Sequence, residues 1–143
     1  MNESIPEKSP KFVFPNIQNE KGELERVATT FGIDSSVLYY EAKNGEMVVL
    51  ENDVWTILEN TDSNKIDVGD FVKVKEFSDE YKRDWVDLKT KIESGKTIDA
   101  PIIMKYGSRY HLVSGNTRLM VSRALDIQPR VLLFEVYNHE EKV

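Results

Sequence analysis

The sequence predicts an α+β domain, a small mixed sheet with helices, preceded by a mostly helical N-terminal segment. Three observations carry this. Segments with apolar residues at helical spacing are interspersed with short runs rich in β-branched and aromatic residues. A tight-turn signal, Gly107-Ser108, joins two such runs in the C-terminal third. The chain has 143 residues, 40% hydrophobic and 31% charged, enough for one domain with its own core. Residues 1–11 read as a flexible arm and 12–143 as a single domain, with 12–60 its N-terminal helical part and 66–136 its core.

The arm holds two prolines, several charges and little apolar content. Phe12, Val13 and Phe14 predict a short strand before Pro15. Asn19 to Phe31 predicts a helix, since Leu24, Val27 and Phe31 recur at helical spacing and Gly32 can terminate it. Asp34 or Ser35 caps a second helix ending near Asn44-Gly45. Glu46 to Leu50 predicts a strand. Asp53 to Leu58 fits a short helix or a strand, and Glu59 to Lys65 a polar loop. Alternation around Phe71, Val72, Val74 and Phe77 predicts a strand over Phe71–Lys75.

Ser78 to Ser94 predicts the strongest helix, with Ser78 as N-cap and Gly95 closing it. Tyr81, Trp85, Leu88 and Ile92 make its buried stripe, read as core and not as a ligand cage. Pro101 opens a strand through Met104, Arg109–Val113 returns after the hairpin turn, Asn116–Asp126 is a helix, and Val131–Val136 is the last strand.

The chain has no cysteine, which excludes disulfides, thiolate metal sites and a cysteine nucleophile, and suits a reducing cytoplasm, the expected location. No apolar run approaches the roughly 20 residues that span a bilayer, and the first ten residues lack a basic-then-apolar signal pattern. Net charge is −6 but uneven: residues 1–60 carry 11 acids and 5 bases, 61–100 carry 10 and 8, and 101–143 carry 4 and 6. This balance disfavours general nucleic-acid binding, yet leaves the C-terminal third net positive.

That third contains Ser114-Gly115-Asn116-Thr117-Arg118 between a strand and a helix. The first N–H groups of a helix lack internal partners and sit at the positive end of its dipole. Gly115 lets a ligand approach the backbone, and Arg118 offers a planar fork for phosphate oxygens. The five residues therefore form a candidate anion site. The same residues also fit an ordinary N-capped helix with a solvent-facing arginine. Arg109 and Lys105, from the hairpin, can complete a basic rim, and Arg123 points about 140° away around the helix from the ~100° rotation per residue. Hydrolysis or phosphoryl transfer would need a carboxylate. Asp67, Asp70 and Glu76, flanking the expected strand, and Asp62 in the polar loop are the candidates, with turn and surface roles as the alternative. His111 shares a strand face with Arg109 and Val113, opposite Tyr110 and Leu112. It is a further catalytic candidate, with a structural role as the alternative.

From Asp87 to Val136 the chain resembles the N-terminal domain of ParB proteins and the related sulfiredoxin fold. Ala100-Pro101-Ile102 stands where that family has Gln-Pro-Ile, and Gly115-Asn116-Thr117-Arg118 where it has Gly-Glu-Arg-Arg. Ala124-Leu125-Asp126-Ile127 ends the helix as in the family, and Val131-Leu132-Leu133 follows as the strand. The resemblance implies a nucleotide or nucleic-acid end as ligand, held at Ser114 to Arg118. It further implies ATP or CTP with Mg2+ as cofactors, and phosphotransferase, NTPase or nuclease-like activity. Asn116 replaces the family's glutamate and the cysteine of sulfiredoxins, so sulfiredoxin chemistry is excluded and CTP hydrolysis is put in doubt. The alternative is a catalytically inactive protein-interaction module on the same fold, with a protein partner. Either way, Arg118→Ala is expected to weaken a phosphate ligand and leave the fold intact.

Overall fold

A computed structural model describes residues 11–137. The expected arm lies outside the described residues except for Lys11, and so does His139 in the C-terminal tail. In chain order the elements are β1 (Lys11–Val13), a 3-10 turn (Ile17–Glu20), α1 (Lys21–Phe31), α2 (Ser35–Lys43), β2 (Glu46–Val48) and α3 (Asn52–Thr56). A second 3-10 turn (Ser63–Lys65), α4 (Phe71–Glu80), α5 (Trp85–Glu93) and β3 (Thr97–Asp99) follow. The chain then runs through β4 (Ile102–Tyr106), β5 (Arg109–Ser114), α6 (Asn116–Ala124) and β6 (Val131–Val136).

The main sheet has strand order β2-β6-β4-β5. β4 and β5 form the expected antiparallel hairpin, β6 runs parallel to β4, and β2 is antiparallel to β6. The β4–β5 register slips where Ile103 faces Leu112 but Ile102 faces Ser114, so Val113 is the extra residue of a bulge. The bulge lies immediately before the Ser114–Arg118 loop. β1 and β3 pair in parallel as a separate two-stranded sheet, with Phe12 opposite Ile98.

Side chains on the two faces of the main sheet belong to different clusters, as period-2 alternation requires. On one face Ile102, Met104, Val113, Leu132 and Phe134 pack with Leu24, Val27 and Ala28 of α1 and Leu38 and Ala42 of α2. On the other, Ile103, Leu112 and Val131 pack with Leu119 of α6, with Val54 and Trp55 of α3 against them. The remaining face of α6, Met120, Val121 and Ala124, packs in a third cluster with Phe12, Val74, Ile92 and Ile98. α6 is therefore enclosed on both sides, between the main sheet and the layer built by α4, α5, β1 and β3.

Two expectations are corrected. Phe71–Lys75 is not a strand but the start of α4. Asp70 caps it, its carboxylate accepting from Lys73 N at 3.1 Å, and the apolar residues fall on a helical face: Val74 and Ser78 are buried while Val72 is 71% exposed. Five residues of alternation did not distinguish the two periods. Nor is Ser78–Ser94 one helix. Ser78 is not an N-cap but lies fully buried inside α4, and the chain breaks at 81–84. Lys82 adopts a left-handed conformation (φ 56°), with Arg83 N bonded to Ser78 O and Lys82 N to Asp79 O. This is a Schellman closure with a lysine where glycine is usual. Asp84 then caps α5, accepting from Asp87 N at 3.0 Å. Tyr81 leaves the expected stripe and is exposed, while Trp85, Leu88 and Ile92 still pack inward. The ambiguous Asp53–Leu58 segment resolves as the short helix α3. The strand expected over Glu46–Leu50 is only β2, and β3 has no counterpart in the sequence expectations.

A non-glycine residue in the left-handed region carries a steric cost of about 1–2 kcal/mol. Lys82→Gly should therefore raise stability, by about 1 kcal/mol after the added freedom of the unfolded chain is deducted. Urea denaturation monitored by circular dichroism measures this, and a loss of stability would contradict the Lys82 closure.

Candidate functional site

Gly115 is the joint between β5 and α6. Its φ of 115° is a left-handed-region value, and a Cβ there would lie 2.8 Å from Pro101 Cβ, so both conformation and space require glycine. No side chain caps α6. Its first turn opens on a cleft of about 1090 Å³, lined by Ser114 through Arg118, by Glu20, Glu23 and Arg26 from the N-terminal part, by Asn60 to Asp62, and by Arg83, Asp84 and Asp87.

Arg118 is not solvent-facing. Its side chain is 17% exposed. Nη1 donates to the backbone carbonyls of Asp99 (2.6 Å) and Ala100 (3.3 Å), and Nη2 donates to Ser114 Oγ (3.2 Å). Ser114 Oγ donates in turn to Glu20 Oε1 at 2.7 Å, and Glu20 Oε2 lies 3.9 Å from Arg118 Nη2. Burial pulls the Arg118 guanidinium below its ordinary value, the charges of Glu20 and Asp99 oppose this, and Arg83 adds to it by repulsion. The expectation that Arg118→Ala leaves the fold intact is therefore revised: the variant would orphan two backbone carbonyls and a mostly buried carboxylate.

Asn116 holds the polar 59–65 segment against α6. Its Oδ1 accepts from Thr61 Oγ1 (2.7 Å) and Asp62 N (2.9 Å), and its Nδ2 donates to Asp62 Oδ2 (3.2 Å). Asp62 is thus fixed at the cleft by Asn116. Two turns further along α6, Arg123 fastens the same segment by donating to Ser63 Oγ (3.1 Å) and Asn64 Oδ1 (3.0 Å), and it also donates to Trp55 O of α3 (2.5 Å). Its guanidinium lies over the Trp55 ring at 3.8 Å, and burial lowers it to about 10.

The remaining candidates are placed elsewhere. Asp67 is exposed in the connection before α4, Asp70 caps α4, and Glu76 is exposed on α4. None of the three lines the cleft. Arg109 and His111 do share a face: Arg109 forms an ion pair with Glu59 at 2.9 Å and lies over the Phe31 ring, and His111 Nδ1 is 3.4 Å from Glu59 Oε1 with its ring edge-on to Phe31. The Arg109 hydrogen bond holds the Glu59 carboxyl below its usual range. Lys105 pairs with Glu135 at 3.7 Å. Glu59 also bridges β5 through its backbone, N to Tyr110 O (2.8 Å) and O to Leu112 N (2.9 Å). Sequence reasoning missed Glu20, Thr61 and Arg83 at the cleft. Glu20 and Ser114 are 94 positions apart, and no local pattern marks either for the other.

Among the described residues no group of three or more His, Asp or Glu side chains could hold a metal ion, and no helix is long and apolar enough to cross a membrane. No family model, curated protein or solved structure matches the chain.

Arg118→Ala should destabilise the protein by about 3 kcal/mol, the scale for removing one partner of a buried charged pair. A denaturation midpoint equal to wild type would show that the carbonyl contacts of Arg118 carry no weight. Burial is also the larger influence on His111, whose pKa is pulled below 6.5 despite Glu59. The folded state thus favours neutral imidazole. Its contribution is complete above about pH 6.5 and is lost as pH falls through the lower folded value. A His111→Gln variant should lack that part of the decline in thermal midpoint, and an unchanged profile would assign the decline to other groups.

Proposed function

We propose that the cleft binds a phosphate group of a nucleotide or of a nucleic-acid end at the N-terminus of α6, on a fold of the ParB/sulfiredoxin type. The observation that carries this reading is that α6 begins without a side-chain cap where its first turn lines a cleft large enough for a nucleotide. The order β4, hairpin, β5, loop, α6 and parallel β6 supports the fold reading. Ser114, Gly115, Asn116, Thr117 and Arg118 are the phosphate-side residues. Arg118 acts chiefly by holding the loop in place, and Arg26 and Arg83 are the further cations on the cleft.

The cleft is lined by five carboxylates, Glu20, Glu23, Asp62, Asp84 and Asp87, and three guanidiniums, Arg26, Arg83 and Arg118. That balance favours a phosphate accompanied by a cation over a bare polyanion. Mg2+ is commonly held by one or two carboxylates together with substrate phosphates, and the Asp62 carboxylate, which accepts from Asn116 Nδ2 at the cleft, is our candidate for that role. The ion would neutralise charge on ATP or CTP. Any phosphoryl transfer or hydrolysis would draw on Asp62 in preference to Asp67, Asp70 or Glu76, which do not line the cleft.

The second reading is an interaction module without catalysis. Exposed apolar side chains support it, Val68 and Val72 around the start of α4 and Val86 on α5, exposed by 66%, 71% and 55%.

Thermal shift with ATP, CTP, GTP, UTP and short single-stranded DNA, with and without Mg2+, tests the two readings. Ligand at 100 times its dissociation constant should add about 2.7 kcal/mol. Thr117→Asp separates binding from stability. An acid in the first turn suits the helix dipole, so the free variant should be at least as stable as wild type, while its repulsion should abolish the shift. A shift retained in Thr117→Asp would move the ligand away from α6, and a flat wild-type panel would favour the interaction module.

A further inference from the structure

We infer that Glu20 is a built-in competitor for the cleft: its carboxylate occupies two of the side-chain donors a phosphate would use, Ser114 and Arg118, and a ligand that takes them must displace it. This rests on the phosphate-site reading. Glu20 ends the 3-10 turn Ile17–Glu20, and its side chain is 19% exposed. It takes the Ser114 hydroxyl at 2.7 Å and faces Arg118 Nη2 at 3.9 Å. Arg118 Nη1 is already committed to the Asp99 and Ala100 carbonyls. The donors not spent on backbone are therefore the ones the carboxylate meets.

Arg118 is the guanidinium that faces Glu20, and a phosphate entering beside that carboxylate would meet like charge in a partly desolvated site. The 3-10 turn that carries Glu20 has one buried residue, Ile17, and is tied by Asn16 N to the Asp99 carboxylate at 3.2 Å and by Gln18 Oε1 to the Tyr39 hydroxyl at 2.8 Å. Release of Glu20 costs the Ser114 contact and the Arg118 attraction without disturbing the main sheet. The N-terminal part thus sets the affinity of a site built by the C-terminal part.

Glu20→Gln removes the charge and keeps an oxygen acceptor for Ser114. Calorimetric titration of the full chain with inorganic triphosphate and Mg2+, in wild type, Glu20→Gln and Glu25→Gln, tests the inference. Glu25 is exposed on α1 and does not line the cleft, so it controls for net charge. Glu20→Gln should bind on the order of tenfold more tightly, and Glu25→Gln as wild type does. Equal or weaker binding by Glu20→Gln, or a gain shared by Glu25→Gln, overturns the competitor and leaves the site reading standing. No binding by any of the three overturns both. Should Glu20→Gln prove too unstable to titrate, hydrogen exchange on wild type decides. The amides of residues 17–21 should exchange faster with triphosphate bound, and unchanged or slower exchange overturns the inference.

Discussion

The Arg118 guanidinium, donating to the consecutive carbonyls of Asp99 and Ala100, is the contact on which the arrangement of the C-terminal half turns. Those carbonyls lie where the chain leaves the small sheet for the large one. Ala100 N is bonded to Val13 O of β1, and Pro101 O accepts from Leu132 N of β6. One side chain on the first turn of α6 therefore fixes that helix against both sheets. Gly115 makes the approach feasible, since any larger residue would strike Pro101. Loss of either residue would move the start of α6, and with it every group that α6 presents to the cleft.

How much of this the sequence disclosed depends on how local the determinant is. Gly32 and Gly95 mark helix ends by residue type alone, and both lie in the left-handed region directly after α1 and near the end of α5. The hairpin, α6, β6 and the two faces of β5 follow from short-range pattern, with Val113 in one cluster and Leu112 in the other. Lys82 and Asp126 close helices in the same geometry without glycine, so the break between α4 and α5 left no residue-type signature. β3 is three residues long and depends on β1, more than 80 positions earlier in the chain, for its pairing. At the cleft, the loop Ser114–Arg118 was visible as a motif. Its partners Glu20, Thr61 and Asp62 come from distant segments, and side-chain geometry alone brings them there.

Asn116 shows how one amide can tie two segments together. It accepts from the Thr61 hydroxyl and Asp62 N and donates to the Asp62 carboxylate, placing that carboxylate beside the helix start. Arg123 secures the other end of the segment by hydrogen bonds to Ser63 and Asn64, and its guanidinium stacks on Trp55 of α3. A polar stretch with little core of its own is thereby tied at both ends to the helix it rests on.

The Glu59 bridge on β5 has a bearing on how the protein behaves in a crowded solution. β5 is an outer strand of the main sheet, and an open outer strand is a template onto which a second chain can add. Glu59 satisfies Tyr110 O and Leu112 N, and Asn60 Nδ2 donates to Leu112 O at 2.8 Å. The segment that borders the cleft therefore also seals this border of the sheet against strand addition. At the opposite border β2 is only three residues long and begins with a charged glutamate. The sheet is closed to runaway polymerisation at one margin by a covering segment and at the other by brevity and charge, so a substitution that loosens residues 59–60 would carry an aggregation hazard distinct from any effect on ligand binding.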